Sequence, residues 1–174
     1  MKARMAPLTR WILLLLPLVL LAAQTLWLYA RVAGGVAITL PVTGVDPRDL
    51  LSGHYLSFSI QWPLPTSPCP DHLEETALCV AGGPPRYRED DTAAAACTLW
   101  VRGSCRGGQF HNGLERYYVP EAQAAKLERA IMDHRAAVVL SVQQDSGEAL
   151  IRELLIDGMI WHQNPEFLSA AQAP

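Results

Sequence analysis

Hydrolytic chemistry needs a nucleophile, a base and a group that orients the base, and this chain holds several such residues close together: Ser52 with His54, and Asp71 with His72. A serine mechanism requires hydrogen-bond reach between nucleophile and base. Ser52 and His54 would share one face of a strand, but Ser52 precedes Gly53, which suits a turn residue better. An envelope hydrolase or peptidase would have to assemble its site from His54, Asp46 and His111. A lysine base is the other route to an active serine, and the chain has two lysines, Lys2 and Lys126. Lys2 lies before the apolar N-terminal run, and Lys126 falls beside Leu127 on a helix, where a solvated face accounts for it. No convergent catalytic set emerges, so no catalytic residue is assigned.

The four cysteines, Cys69, Cys79, Cys97 and Cys105, all follow the apolar run. Their spacings, C-x9-C and C-x7-C, lack the tight knuckle that presents two thiolates to one zinc. Two disulfides in an oxidising compartment are the reading, and the chain permits three connectivities. A cross-strand Cys79–Cys97 bridge is geometrically feasible. A His54–His111 metal pair would need a tertiary proximity that the sequence does not show, and no metal is expected. Neither a dinucleotide fingerprint nor a phosphate loop is present, and no cofactor is expected.

The element that places all of this is the stretch from Trp11 to Ala30, broken by Gln24 and free of charge, after Lys2, Arg4 and Arg10. Some 20 apolar residues span a hydrocarbon core of about 30 Å as a helix. The run continues past Ala22 and Ala23 through Leu26, Trp27, Leu28 and Tyr29, with no small-x-small triplet before Gln24, so a retained anchor is expected over a cleaved signal. Trp11 at one end and Trp27 with Tyr29 at the other suit the two interfaces, and the basic excess before the helix predicts a cytoplasmic N-terminus. Residues 1–10 are then cytoplasmic, 11–30 embedded in the bilayer, 31–35 a linker, 36–162 an extracytoplasmic domain and 163–174 a loose tail.

The whole chain has 174 residues and a formal charge of −3. Beyond residue 30, 11 Lys and Arg face 17 Asp and Glu, about −6. That balance excludes a nucleic-acid partner, which needs clustered cations.

Within the domain, Val36, Ile38, Leu40 and Val42 alternate as a half-buried strand, with Pro41 making it an edge strand or ending it early. Asp46-Pro47 predicts a turn of helix before Gly53. Tyr55 to Trp62 is an aromatic-rich second strand, and Ala77–Ala81 and Ala95–Arg102 are further strands. Asn112-Gly113 is a hairpin signal introducing a strand over Leu114–Val119. Pro120, Glu121, Ala124, Leu127 and Ile131 predict a helix reaching about His134. Ala137–Gln143 and Leu150–Ile156 flank an Asp145-Ser146-Gly147 hairpin, and Asp157-Gly158 turns the chain again. The predicted class is β-rich α+β: an N-terminal transmembrane helix, then a small antiparallel barrel- or sandwich-like domain with one main helix.

The segment Asp46-Pro47-Arg48-Asp49-Leu50-Leu51-Ser52-Gly53-His54-Tyr55-Leu56-Ser57-Phe58 resembles the signature of the GDYXXLXY proteins, membrane-anchored bacterial envelope proteins. Gly53 and Tyr55 fall on the signature Gly and Tyr and Phe58 on its Leu, while His54 replaces Asp and Ile60 the final Tyr. Gly113-Leu114-Glu115-Arg116-Tyr117-Tyr118-Val119-Pro120-Glu121 and Leu154-Leu155-Ile156-Asp157-Gly158 resemble two later passages of the same family. The resemblance implies no established reaction and a bacterial inner-membrane location with a periplasmic domain. It also implies a multi-span membrane protein as partner, besides the lipid around residues 11–30. Asp46, Arg48, Gly53, His54, Tyr55, Arg116, Tyr117 and Tyr118 form the candidate binding surface. A small-ligand or glycan module built on the tyrosines is an alternative, and it requires a concave aromatic groove.

Overall fold

The computed structural model describes residues 7–44, 55–69, 75–88 and 97–168, with side chains from Leu15 onward. The chain divides into two units, Met1–Gly34 and Gly35–Pro174.

The first unit is helix α1, Pro7–Gly34, with Pro17 inside it. Its segment Leu15–Gly34 has mean hydropathy 1.5 and is long and apolar enough to cross a membrane. The helix runs on to Gly34, within the expected linker 31–35. Near its end, the Arg31 guanidinium lies 4.9 Å from the centre of the Trp27 ring, a cation–π pair one turn apart.

The second unit is β-rich α+β. Strands β1 (Val36–Gly44), β2 (Tyr55–Ile60), β6 (Arg116–Tyr118), β7 (Ala136–Val142), β8 (Ala149–Ile156) and β9 (Met159–Ile160) form one antiparallel sheet in the order β6-β2-β1-β7-β8-β9, curled into a half-barrel. Strands β3 (Thr76–Ala81), β4 (Leu99–Arg106) and β5 (Gln109–His111) form a smaller sheet. Helix α2 (Glu121–Met132) packs on β1 and β2 and buries Gln123, Leu127, Ala130 and Ile131. Its inward residues recur at the helical period, which is the physical reason that it docks there. The core joins Val42, Leu56, Phe58 and Ile60 to Val138, Leu140, Leu154 and Ile156 of the large sheet, and to Leu78, Leu99 and Val101 of the small one. Tyr87 bridges to Leu78 beside this core, and burial pushes its phenol pKa up.

Local chemistry explains most boundaries. Helix α2 closes with the Arg135 N–H donating to the Ala130 carbonyl and the His134 N–H to that of Ile131, a Schellman closure. His134 takes the left-handed position there at φ 57°. Asp157 and Gly158 both have positive φ, 52° and 78°, and make the two-residue turn between β8 and β9, the geometry that an Asp-Gly pair favours. The bridges are Cys69–Cys105 and Cys79–Cys97, with Cα separations of 5.4 and 6.0 Å.

Four expectations need correction. Pro41 does not end β1, because β1 pairs with β7 through Pro41 and with β2 from Val42 onward. The Pro41 carbonyl accepts from the Gln61 N–H at 2.9 Å, so its absent donor faces the side on which β2 ends. Asn112-Gly113 makes no hairpin, since β5 pairs with β4 whereas β6 pairs with β2. The Asn112 side-chain oxygen instead accepts from the Leu114 N–H at 3.2 Å, and this Asx turn sends the chain from one sheet to the other. The strand expected over Ala95–Arg102 is seen as β4 from Leu99 and runs on to Arg106, because it pairs across Gly107-Gly108 with β5; Ala95 and Ala96 lie outside the described residues. Finally, residues 163–168 are not loose: Trp161–Gln163 is a 3-10 turn, Pro165–Leu168 a short helix α3, and Asn164 and Phe167 are buried. The turn of helix expected at Asp46-Pro47 lies outside the described residues.

Candidate functional site

Alternation along β2 sends Leu56, Phe58 and Ile60 into the core and leaves Tyr55, Ser57 and Ser59 on the opposite face. Strand β6 is the terminal strand of the sheet and pairs Tyr118 with Tyr55, Tyr117 with Leu56 and Arg116 with Ser57. Three side chains therefore gather on the outward face. The Tyr55 and Tyr118 rings meet edge to face, 6.2 Å between centroids, and the Arg116 guanidinium lies 5.1 Å from the Tyr55 centroid. Tyr118 is 77% exposed. Tyr117 turns the other way: it packs against the core and its hydroxyl accepts from the Trp161 indole N–H at 3.4 Å.

Of the sequence-proposed surface, the fold thus brings together Tyr55, Arg116 and Tyr118 and diverts Tyr117 to packing. Asp46, Arg48, Gly53 and His54 lie outside the described residues. A family model for the GDYXXLXY protein matches residues 17–154, most of the chain. The chain belongs to the GDYXXLXY family. Neither the curated proteins nor the solved structures contain a match. The geometry gives the GDYXXLXY signature a physical division: its Leu and final Tyr positions, here Phe58 and Ile60, are core residues of β2, whereas its first Tyr, Tyr55, faces outward.

A second site escaped the sequence reading. A cavity of about 490 Å³ is lined by Glu75, Thr76, Arg88, Trp100, Arg102 and the turn 144–147. Trp100 and Arg102 share a face of β4 at two-residue spacing. The guanidinium groups of Arg86 and Arg88 each lie 5.8 Å from the Trp100 ring centre, and Arg102 donates to Glu75 at 2.8 Å. The β7–β8 turn closes one side, because the Arg102 backbone N–H donates to the Gly147 carbonyl at 2.8 Å. An indole edge, guanidinium groups and amide and hydroxyl side chains can hold a polar ligand with an apolar face. The signal available was the alternation in Arg86-Tyr87-Arg88, which bridges to β3, and in Trp100-Val101-Arg102 of β4, two segments with basic or aromatic residues at two-residue spacing.

Of the catalytic candidates, His111 and Lys126 are among the described residues, whereas Ser52, Asp71, His72 and Lys2 lie outside them. His111 faces Glu115 at 3.7 Å, both half-exposed, and two of its proposed companions, His54 and Asp46, lie outside the described residues. Lys126 lines a shallow site with Arg129, Asp133, Arg135 and Glu166, charged walls unlike the apolar enclosure that a lysine base requires. Among the described residues, no group of three or more His, Cys, Asp or Glu could hold a metal.

Proposed function

We propose that this protein is a non-enzymatic tethered domain: α1 is a retained anchor in the bacterial inner membrane with its N-terminus cytoplasmic. The disulfide-bonded domain then lies in the periplasm and binds or assists a multi-span membrane protein. The observation that carries the reading is the outward-facing Tyr55–Arg116–Tyr118 surface across β2 and the terminal strand β6, with Arg116 and Tyr118 exposed. Tyrosine and arginine are the side chains most enriched in protein interfaces, since each supplies contact area together with a polar end. The apolar helix and the two disulfides support the location, since disulfides persist in oxidising compartments.

The test is affinity capture of the full chain from membranes solubilised in a mild detergent. A specific multi-span protein should be recovered with the native chain and depleted at least tenfold with the double variant Arg116→Ala, Tyr118→Ser. Recovery unchanged by the variant, or no partner over repeated captures, overturns the reading. A C-terminal reporter active only outside the cytoplasm checks orientation.

The Trp100 cavity supports a second reading, that of a receptor for an acidic glycan. An oligosaccharide containing uronic acid should then quench tryptophan fluorescence, and the response should vanish in Trp100→Phe. Equal quenching in both proteins counts against it.

A further inference from the structure

Among the described side chains of α1, from Leu15 to Gly34, the Gln24 amide conflicts with its surroundings once the helix crosses a bilayer. It lies six residues from Ala30, ~9 Å along the axis at 1.5 Å per residue, and so falls within the hydrocarbon layer. Its neighbour Thr25 meets the same problem and resolves it locally, since the hydroxyl donates to the Leu21 carbonyl at 2.8 Å. Gln24 has no such solution. Its side chain is exposed, and among the described residues it has no hydrogen-bond partner. An amide with two donors and an acceptor in hydrocarbon finds a partner on another helix.

The amide is self-complementary. Two glutamines related by a two-fold axis each donate an N–H to the other's carbonyl. Every copy of this chain inserts with the same orientation, so a second copy presents Gln24 at the same depth with no adjustment of register. Any other membrane protein must carry a matching polar group at that depth by its own sequence. One turn to either side, Leu20, Leu21 and Leu28 are exposed and supply apolar shoulders for close packing. We infer that α1 pairs in the membrane with α1 of a second copy, parallel, through a Gln24–Gln24 amide pair. The inference rests on α1 being a retained span.

The experiment uses the full chain in its native membrane with a photo-crosslinking amino acid in place of Leu28. The expected product has twice the mass of the 19.1 kDa chain. Gln24→Leu should lower its yield about tenfold, the scale of two interhelical hydrogen bonds, and Gln24→Asn, which keeps the amide, should retain most of it. No double-mass product, or equal yields with Gln24→Leu, overturns the pairing. A product at another protein's mass that Gln24→Leu abolishes also overturns it and gives the amide to that protein. Alkaline extraction separates the two levels of failure: a chain washed out of the membrane loses the anchor reading as well, whereas an embedded but unpaired chain loses the pairing alone.

Discussion

The Arg135 Nε donates to both carboxylate oxygens of Asp157, each at 3.1 Å, although 22 residues separate the two. Arg135 also holds Glu166 at 2.7 Å, and the Asp157 N–H donates to the Arg135 carbonyl at 2.9 Å. One guanidinium thus fastens the β8–β9 turn and α3 to the corner after α2. These bonds raise the Arg135 pKa and, through the hydrogen bonds from Arg135, hold the Asp157 carboxyl below its ordinary value.

The sign of the pH dependence follows. A carboxyl depressed in the folded state stabilises the fold above its unfolded pKa, about 3.9, and loses that contribution as pH falls through the folded value. Asp157→Asn keeps a residue tolerant of positive φ and removes the charge. The stability gap between wild type and variant, measured by denaturant titration, should be constant above about pH 5 and close as the pH drops below about 4. A gap independent of pH would show that the pair contributes nothing as an ion pair.

His134 occupies the left-handed position of the Schellman closure, which glycine adopts without a Cβ penalty. His134→Gly should raise unfolding free energy by about 0.5–1 kcal/mol, read as a higher denaturant midpoint at unchanged slope.

The two bridges close loops of different length, with separations of 18 and 36 residues. Chain entropy assigns about 3 kcal/mol to Cys79–Cys97 and roughly 0.6 kcal/mol more to Cys69–Cys105, the doubling of loop length. Paired serine substitutions should rank in that order by thermal melting.

At Gly103 an added Cβ would lie 2.5 Å from both the Phe110 ring and the His111 carbonyl. The ring packs where a side chain would otherwise stand. Gly103→Ala should destabilise by about 1–3 kcal/mol, and Gly103→Ala with Phe110→Leu should cost less than the sum of the two single changes.

Phe167 is buried beneath the C-terminal turn, and its carbonyl accepts from the Gln123 side-chain amide at 3.0 Å. Phe167→Ala should cost about 3–5 kcal/mol, measured by denaturant unfolding.

The legible parts of the fold were those set by local rules. The period-two runs of β1, β2, β7 and β8, the helical spacing of Ala124, Leu127 and Ile131, and the Asp157-Gly158 turn each state their geometry within a few residues. Asn112-Gly113 misled because positive φ at Gly113 permits a hairpin but does not require one, and the choice of partner strand is not local. The tail misled for the opposite reason, since a single Phe167 gives no periodicity and its backbone carbonyl is held by Gln123, 44 residues earlier. Of the candidate surface, the sequence supplied Tyr55, Arg116 and Tyr118, yet it gave no reason to separate Tyr117 from them. The alternate faces of a three-residue strand decide that.

By its residues alone this chain determined a long apolar helix, a family, a β-rich class and the presence of two disulfides, because hydropathy, signature spacing and cysteine number are properties of the unfolded chain as much as of the folded one. Tertiary structure decided which cysteines pair, how β5 and β6 part to different sheets, and how Trp100 comes to share a cavity with Glu75, Arg88 and the 144–147 turn. These are proximities between residues distant in sequence, fixed only when the two sheets bury their common core.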